Sequence, residues 1–200
     1  MPTSSEIRAQ ARGILQGSWG RSAGHMLLLF IVLGVPLSLL NFIPVLGTIV
    51  SFLVSGAITY GLYNYYLDSV RGERPAFTSY FSGFNRFVDT FLLYLLMSIF
   101  IYLWTLLLIV PGIIAAIRYS QAYYILRDNP GISAMEAINR SKQMMIGHKW
   151  RFFVLGLSFI GWILLAIITF GIGLLWLYPY MLTSYACFYQ DLKDRSASFS

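Results

Sequence analysis

Charged residues are scarce in this 200-residue chain: aspartate, glutamate, lysine and arginine together make up 11% of it, while 58% is hydrophobic. A typical soluble domain carries about 25% charged residues. The mean hydropathy is +0.68, so a water-soluble fold of this size would have to expose much of its apolar surface. Cysteine is almost absent too, and the lone Cys187 excludes an intramolecular disulfide and a cysteine-based metal cluster. The composition predicts an integral membrane protein.

Long stretches lack charged residues altogether, and their lengths predict how often the chain crosses a membrane. A helix needs about 20 residues to cross a hydrocarbon core of about 30 Å. The charge-free stretches 22–67 and 152–190 each have room for two spans, and the stretches on either side of Arg118 together have room for two more. The sequence therefore predicts an all-α, polytopic membrane fold with six transmembrane helices in three hairpins, over 23–41, 46–67, 91–110, 112–127, 152–169 and 173–190.

Proline and glycine lie near the centre of each long apolar stretch, where they predict the hairpin turns. Both residue types end helices. The predicted turn residues are Pro44, Gly47, Pro111, Gly112, Gly171 and Gly173.

Basic residues fall on one side of this six-helix plan. Every lysine and arginine except Arg118 lies before the first helix, after the last, or in a connection on that same side. The positive-inside rule then puts both termini in the cytoplasm. The net charge of +6 is interpreted as a belt facing anionic lipid headgroups, so the lipid bilayer is the expected partner and nucleic acid is not.

Three segments on the cytoplasmic side resemble one another and predict an internal repeat. Apolar residues recur at spacings of three and four in 4–18, 76–90 and 133–146, which is typical of amphipathic helices that lie in the membrane interface. Two of these helices begin with the capping-box patterns Thr3-x-x-Glu6 and Ser133-x-x-Glu136.

Glycines recur near these segments at one period. Gly17, Gly83 and Gly147 are 66 and 64 residues apart, and the turn glycines repeat at nearly the same interval. We therefore predict three parallel units of about 64 residues, each an interfacial helix followed by a hairpin. They cover 4–67, 76–127 and 133–190 of a single transmembrane domain, 1–195, and a disordered tail at 196–200 follows.

Arg118 is the one charge inside a predicted span. It lies seven residues into the fourth helix, about 10 Å deep at ~1.5 Å per residue, and every carboxylate sits at or beyond the cytoplasmic helix ends. In one interpretation the side chain snorkels outward or bonds backbone and hydroxyl acceptors. In the other it binds an anion, a lipid phosphate or part of a substrate, with Gln121 at i+3 sharing its face. The residues alone leave both open.

No catalytic, metal-binding or cofactor-binding pattern accompanies these features. His25 and His148 are far apart in the plan, and no phosphate loop, zinc motif or nucleophile elbow occurs. We therefore expect no enzyme, no metal and no cofactor. The first functional hypothesis is a non-enzymatic membrane scaffold or accessory protein that organises or assists either a protein partner or the lipid bilayer. The alternative is a small transporter or lipid-handling protein with an anion site at Arg118.

The stretch PGIIAAIRYSQAYYILRDNPGISAMEAINRSKQMMIGHKWRFFVL, from Pro111 to Leu155, carries a family resemblance. With FIGWILLAIITFGIGLLWLYPY further on, it resembles uncharacterised bacterial integral membrane proteins grouped as domain of unknown function 975. The Pro-Gly-Ile, Glu-Ala, Ser and Gly pattern is more distantly similar to the membrane region of some glycerophosphodiester phosphodiesterases, whose catalytic domain has no counterpart here. The resemblance implies a bacterial plasma-membrane location and transfers no catalytic residue.

Overall fold

The computed structural model describes residues 1–197, and these residues are helical almost throughout. In chain order they form α1 (Ser4–Leu15), α2 (Trp19–Leu29), a π-helical segment (Phe30–Gly34), α3 (Val35–Leu40), α4 (Pro44–Val70), a 3-10 helix (Phe77–Arg86), α5 (Phe87–Leu107), α6 (Ile109–Tyr119), α7 (Ala122–Asp128), α8 (Ala134–Met144), α9 (Lys149–Leu157), α10 (Ile160–Ile168) and α11 (Leu174–Ala197). The all-α class is confirmed. Of the segment predicted to be a disordered tail, α11 takes in the first two residues, and 198–200 lie outside the described residues.

Within residues 1–197, four helical segments are long and apolar enough to cross a membrane. They are Trp19–Leu40, Val45–Val70, Phe77–Leu107 and Lys149–Ile168. The other two predicted spans correspond to α6 with α7 and to α11. The first is interrupted after 11 residues, and the second is a tyrosine-rich helix that contributes Leu182, Ala186 and Tyr189 to the core. A helix surrounded by protein does not need an apolar surface all round.

The predicted turn residues lie at or close to breaks between consecutive helices, but one break is displaced. α4 begins at Pro44, and Gly171 adopts a left-handed φ of +85° before α11. The middle hairpin turns at Leu108, where the backbone is extended, and Pro111 lies inside the first turn of α6. Proline is tolerated there because the first-turn N–H groups have no partner within the helix. The prediction that Pro111 and Gly112 end the helix was therefore wrong by three residues.

The amphipathic segments are helical, with one difference in helix type. Thr3 forms the full capping box with Glu6 at the start of α1. Ser133 caps α8 through the backbone N–H of Glu136, while the Glu136 side chain binds Arg140 instead. The middle segment, predicted as an amphipathic α-helix, is a 3-10 helix that runs straight into α5. It packs so closely on α4 that a Cβ at Gly83 would overlap the Ala57 carbonyl, and this contact with α4 outweighs the α-helical spacing of its residues.

Exposed apolar side chains concentrate at the hairpin ends, away from the buried core. Phe42 is 84% exposed and Phe170 is 98% exposed, and an unbroken apolar run from Leu106 to Val110 is exposed at the middle hairpin. Soluble proteins rarely show apolar patches of this extent. The helices are thus compatible with a multi-pass membrane protein.

Ion pairs join three helices near their C-terminal ends. Arg71, at the end of α4, binds both carboxylate oxygens of Asp128 at 2.9 and 2.7 Å. Lys193 of α11 donates to the same carboxylate at 2.6 Å, and the Tyr189 hydroxyl donates to it at 2.9 Å. Arg127 pairs with Asp68. These contacts tie α4, α7 and α11 together at one level of the bundle.

Candidate anion-binding groove

The helix that was predicted to run through 112–127 is broken beside Arg118. α6 ends at Tyr119 and α7 begins at Ala122. The Ser141 hydroxyl of α8 donates to the Arg118 carbonyl oxygen at 2.7 Å and accepts from the backbone N–H of Gln121 at 3.2 Å. One hydroxyl thus satisfies a donor and an acceptor that the break releases, because buried backbone groups need partners. The bridge fixes α8 against the end of α6.

An open groove of about 360 Å³ lies between Arg118 and the polar face of α8. Its lining is polar and charged except for one isoleucine: Arg118, Glu136, Asn139, Arg140, Lys142, Gln143 and Ile146. Three cations and one carboxylate therefore face the same space.

Most of these charged groups already have partners within the protein. Arg140 binds Glu136 at 2.9 Å and the Asn129 side-chain oxygen at 3.1 Å. Lys142 donates to Asn139 at 3.1 Å. The half-buried guanidinium of Arg118 has no hydrogen bond or ion pair with any residue in the described part of the chain. Arg118 is thus the groove cation with all its donors available.

Aromatic rings fix the position of Lys142. Its ammonium nitrogen lies 5.8 Å from the ring centre of Phe100 in α5 and 5.6 Å from that of Tyr119 in α6. These distances are typical of cation–π contacts. Lys142 therefore adds a positive charge next to α5 and α6. Together with Arg118, Arg140 and the carboxylate of Glu136, it gives the groove a net charge of +2.

The structure does not bring Gln121 into this groove. The break between α6 and α7 ends the helical spacing that would have placed it beside Arg118, and the residue is fully buried. Its amide nitrogen donates to the Ser120 hydroxyl at 2.7 Å, while its amide oxygen has no partner among residues 1–197. Among the predicted turn residues whose side chains the structure describes, none lines the groove.

Sequence reasoning missed the contribution of α8. Arg140 and Gln143 belong to the segment 133–146, which was predicted to be amphipathic, but its polar face was expected to meet headgroups and not Arg118. The signal was the amphipathic pattern with Ser141 on its apolar side, because a buried hydroxyl needs a partner. Its partner is a backbone carbonyl 23 residues earlier, which no local pattern identifies.

The electrostatics at the end of α7 are dominated by the carboxylate of Asp128. Burial would raise its pKa, but hydrogen bonds from Arg71, Lys193 and Tyr189 outweigh burial and lower the pKa to about 2. Asp128 is therefore ionised at neutral pH and belongs to the structural ion-pair layer. Among residues 1–197, no group of three or more histidine, cysteine, aspartate or glutamate side chains could hold a metal ion.

Comparison with known proteins assigns the chain to a family. The pattern of the family described as "Protein of unknown function (DUF975)" matches residues 1–115 and 105–196. The chain belongs to this family. Neither the curated proteins nor the solved structures compared with the chain include a match. Family membership thus agrees with the resemblance carried by the Pro111–Leu155 stretch and assigns no activity.

Proposed function

We propose that this DUF975 protein is a non-enzymatic, lipid-handling accessory protein of the bacterial cell membrane that binds the phosphate of an anionic lipid in the Arg118 groove. The unpartnered guanidinium of Arg118 carries the proposal. Guanidinium groups bind phosphate oxygens through two parallel hydrogen bonds. Lys142 adds a second positive charge near Arg118. The rings of Phe100 and Tyr119 hold its ammonium group in place.

The apolar surroundings of the groove favour a lipid over a soluble anion. Ile146 lines the groove and is 71% exposed, and Ile114, one turn before Arg118, is 42% exposed. Acyl chains would cover these side chains while the phosphate meets the cations. A soluble phosphate would leave them uncovered.

We also propose the full six-helix arrangement with both termini in the cytoplasm and three parallel repeats. The ion-pair layer of Arg71, Asp128 and Lys193 supports it, because it lies at the helix ends where the positive-inside rule expects cations. Gly17 and Gly147 support the repeat: each follows a capped amphipathic helix and has a left-handed φ, 78° and 77°. The distant similarity to the membrane region of glycerophosphodiester phosphodiesterases fits a role next to lipids.

We propose no catalytic role for the groove. Glu136 is the one carboxylate that lines it, and that carboxylate is bound by Arg140 at 2.9 Å. A general acid or base must be free to exchange a proton with a substrate. The polar cavity at Arg118 favours an anion site over a purely structural scaffold. A protein partner would bind in addition to the anion.

Native mass spectrometry of the detergent-purified protein tests the proposal. The wild type should retain a discrete anionic phospholipid, and Arg118→Gln should reduce that adduct by roughly tenfold, as expected when a charge-assisted contact is lost. Arg74→Gln is the matched control, because Arg74 also lacks a partner in the described chain but is exposed and lies outside the groove. Equal adducts in the wild type and Arg118→Gln would overturn the proposal.

Vesicle assays separate lipid binding from lipid transport, the second candidate function. The protein is reconstituted in vesicles that carry fluorescent phosphatidylglycerol, and a membrane-impermeant reductant destroys the label in the outer leaflet. A binding protein leaves about half of the label protected. Rapid loss of the protected half that depends on Arg118 would replace the proposal with a transporter.

A further inference from the structure

A second cavity, of about 350 Å³, lies between α1, α2, α10 and α11. Three tryptophans line it: Trp19, Trp162 and Trp176. Its remaining wall is apolar apart from Arg12, Thr169 and Tyr180. We call this cavity the tryptophan groove. It shares no residue with the Arg118 groove.

The tryptophan groove has a charged end and an apolar end. Arg12 and Tyr180 lie at one end, where the guanidinium donates to the Tyr180 hydroxyl at 2.9 Å. Gly173 lies in the turn just before α11, seven residues from Tyr180, which is about 10 Å at ~1.5 Å per residue. The groove therefore runs along α11 from a cation towards the hairpin end.

Contacts at both ends define the shape of the groove. The rings of Trp19 and Tyr180 meet edge to face, with centres 6.0 Å apart. At the apolar end the turn before α11 packs closely on α10, since a Cβ at Gly173 would lie 3.0 Å from the Cα of Ala166. Between these ends the groove opens sideways, because Trp162 and Trp176 remain 49% and 46% exposed.

Arg12 retains donors for a ligand. A guanidinium has five N–H donors, and that of Arg12 makes one hydrogen bond within residues 1–197. Tyr180 holds this side chain in place, so an anion meets a positioned cation and not a freely moving one. Arg8, one turn earlier on α1, donates to two backbone oxygens, those of Ser4 and Ser158.

We propose that the tryptophan groove holds one acyl chain of an anionic phospholipid whose phosphate binds Arg12. The apolar wall fits a hydrocarbon chain, and the single cation at one end fits one anionic headgroup. The sideways opening lets the chain enter from the bilayer, and tryptophan is suited to the boundary between acyl chains and headgroups. This site is additional to the Arg118 groove and stands independently of it.

Quenching of tryptophan fluorescence by brominated lipids tests the proposal on the full chain. Trp104 and Trp150 lie outside the groove and are replaced by phenylalanine, so that the remaining emission comes from the groove. The protein is reconstituted in phosphatidylcholine vesicles with a minor fraction of either brominated phosphatidylglycerol or brominated phosphatidylcholine. A cation near the surface favours an anionic lipid by about fivefold. Brominated phosphatidylglycerol should therefore quench the tryptophan emission more strongly than brominated phosphatidylcholine, with a preference of that size.

Arginine variants decide whether the preference arises at the groove. Arg12→Gln should abolish it, Arg12→Lys should restore part of it, and Arg8→Gln should leave it intact because Arg8 is bound to backbone. Loss of the preference in Arg8→Gln as well would show a general surface-charge effect and overturn the proposal. An unchanged preference in Arg12→Gln would overturn it too.

Two further measurements keep this result separate from folding and from the Arg118 proposal. Thermal unfolding in detergent checks that Arg12→Gln and Arg12→Lys fold alike, so that the lysine variant decides the outcome if glutamine destabilises the chain. Arg118→Gln should leave the quenching preference unchanged. A preference that disappears with Arg118→Gln would place the lipid in the other groove and refute this one.

Discussion

The side-chain hydroxyl of Ser141 donates a hydrogen bond of 2.7 Å to the backbone carbonyl oxygen of Arg118. This contact joins the amphipathic helix α8 to the break between α6 and α7. It also places the polar face of α8 next to the one arginine that interrupts an apolar stretch. The anion groove therefore depends on a hydroxyl that itself lines no part of it.

Removing this hydroxyl should destabilise the protein and weaken the groove. Ser141→Ala leaves the Arg118 carbonyl and the Gln121 N–H without a buried partner, which should cost about 1–3 kcal/mol. Thermal unfolding in detergent measures the loss, and native mass spectrometry measures retained anionic lipid. Ser38→Ala is the matched control, because Ser38 bonds only the Val35 carbonyl of its own helix. Equal stability of the two variants would contradict the structural role of Ser141.

The helices were predictable from sequence wherever the signal is local. Charge-free stretches located the four membrane-compatible segments, because a charge is costly to bury. The patterns at Thr3 and Ser133 located two helix starts, because N-capping acts over a few residues. The middle turn at Leu108 was misplaced because proline is compatible with the first turn of a helix.

The candidate site was predictable only in part. Arg118 was identifiable because a charge in an apolar stretch is costly. The break at Ser120 and Gln121 was not, because it is stabilised by Ser141 from a separate helix. Arg140 and Lys142 were visible as basic residues in the segment of an amphipathic helix, but their meeting with Arg118 depends on how α8 docks.

The Asp128 ion pairs should stabilise the protein over a defined pH range. Asp128 has a folded-state pKa of about 2, below the value of about 3.9 expected for the unfolded chain. Its contribution is therefore fully present above pH ~4 and is lost as the pH falls through ~2. Asp128→Asn should lose about 2 kcal/mol at neutral pH, and the difference from the wild type should shrink between pH ~4 and ~2.

Chemical unfolding in detergent at several pH values measures this difference. Asp194→Asn is the control, since Asp194 is exposed and accepts from Gln190 within its own helix. It should change stability by less than about 0.5 kcal/mol at every pH. A constant penalty for Asp128→Asn down to the lowest pH would mean that the carboxylate charge contributes nothing.

Close packing between α4 and the 3-10 helix should make Gly61 intolerant of any side chain. A Cβ at Gly61 would overlap the carbonyl oxygen of Tyr80, a backbone atom that cannot move aside independently. Gly61→Ala should therefore cost more than about 3 kcal/mol. Gly13→Ala in α1 meets nothing within 4 Å and should gain up to about 1 kcal/mol from helix propensity. Thermal midpoints in detergent compare the two, and a fully stable Gly61→Ala would show that these helices are not in contact.

Cysteine labelling tests the six-helix topology at the exposed hairpin ends. The background is Cys187→Ala, which introduces no unpaired hydroxyl at this buried position, and single cysteines replace Phe42, Phe170 or Glu73. A membrane-impermeant maleimide should label the Phe42 and Phe170 positions in right-side-out vesicles, and the Glu73 position only in inside-out vesicles. The reason is that the six-helix plan puts the hairpin ends outside and the basic connections inside.

Two other labelling results would each contradict the six-helix plan. Labelling of Glu73→Cys from outside would reverse the orientation. If the cysteines at Phe42 and Phe170 reacted from neither side yet reacted after detergent was added, the hairpin ends would lie within the lipid. In that case the three hairpins would enter the bilayer from one side without crossing it. The short α6, with 11 residues, and α11, which is long enough but not apolar enough for a span, would then be accounted for without the six-helix plan.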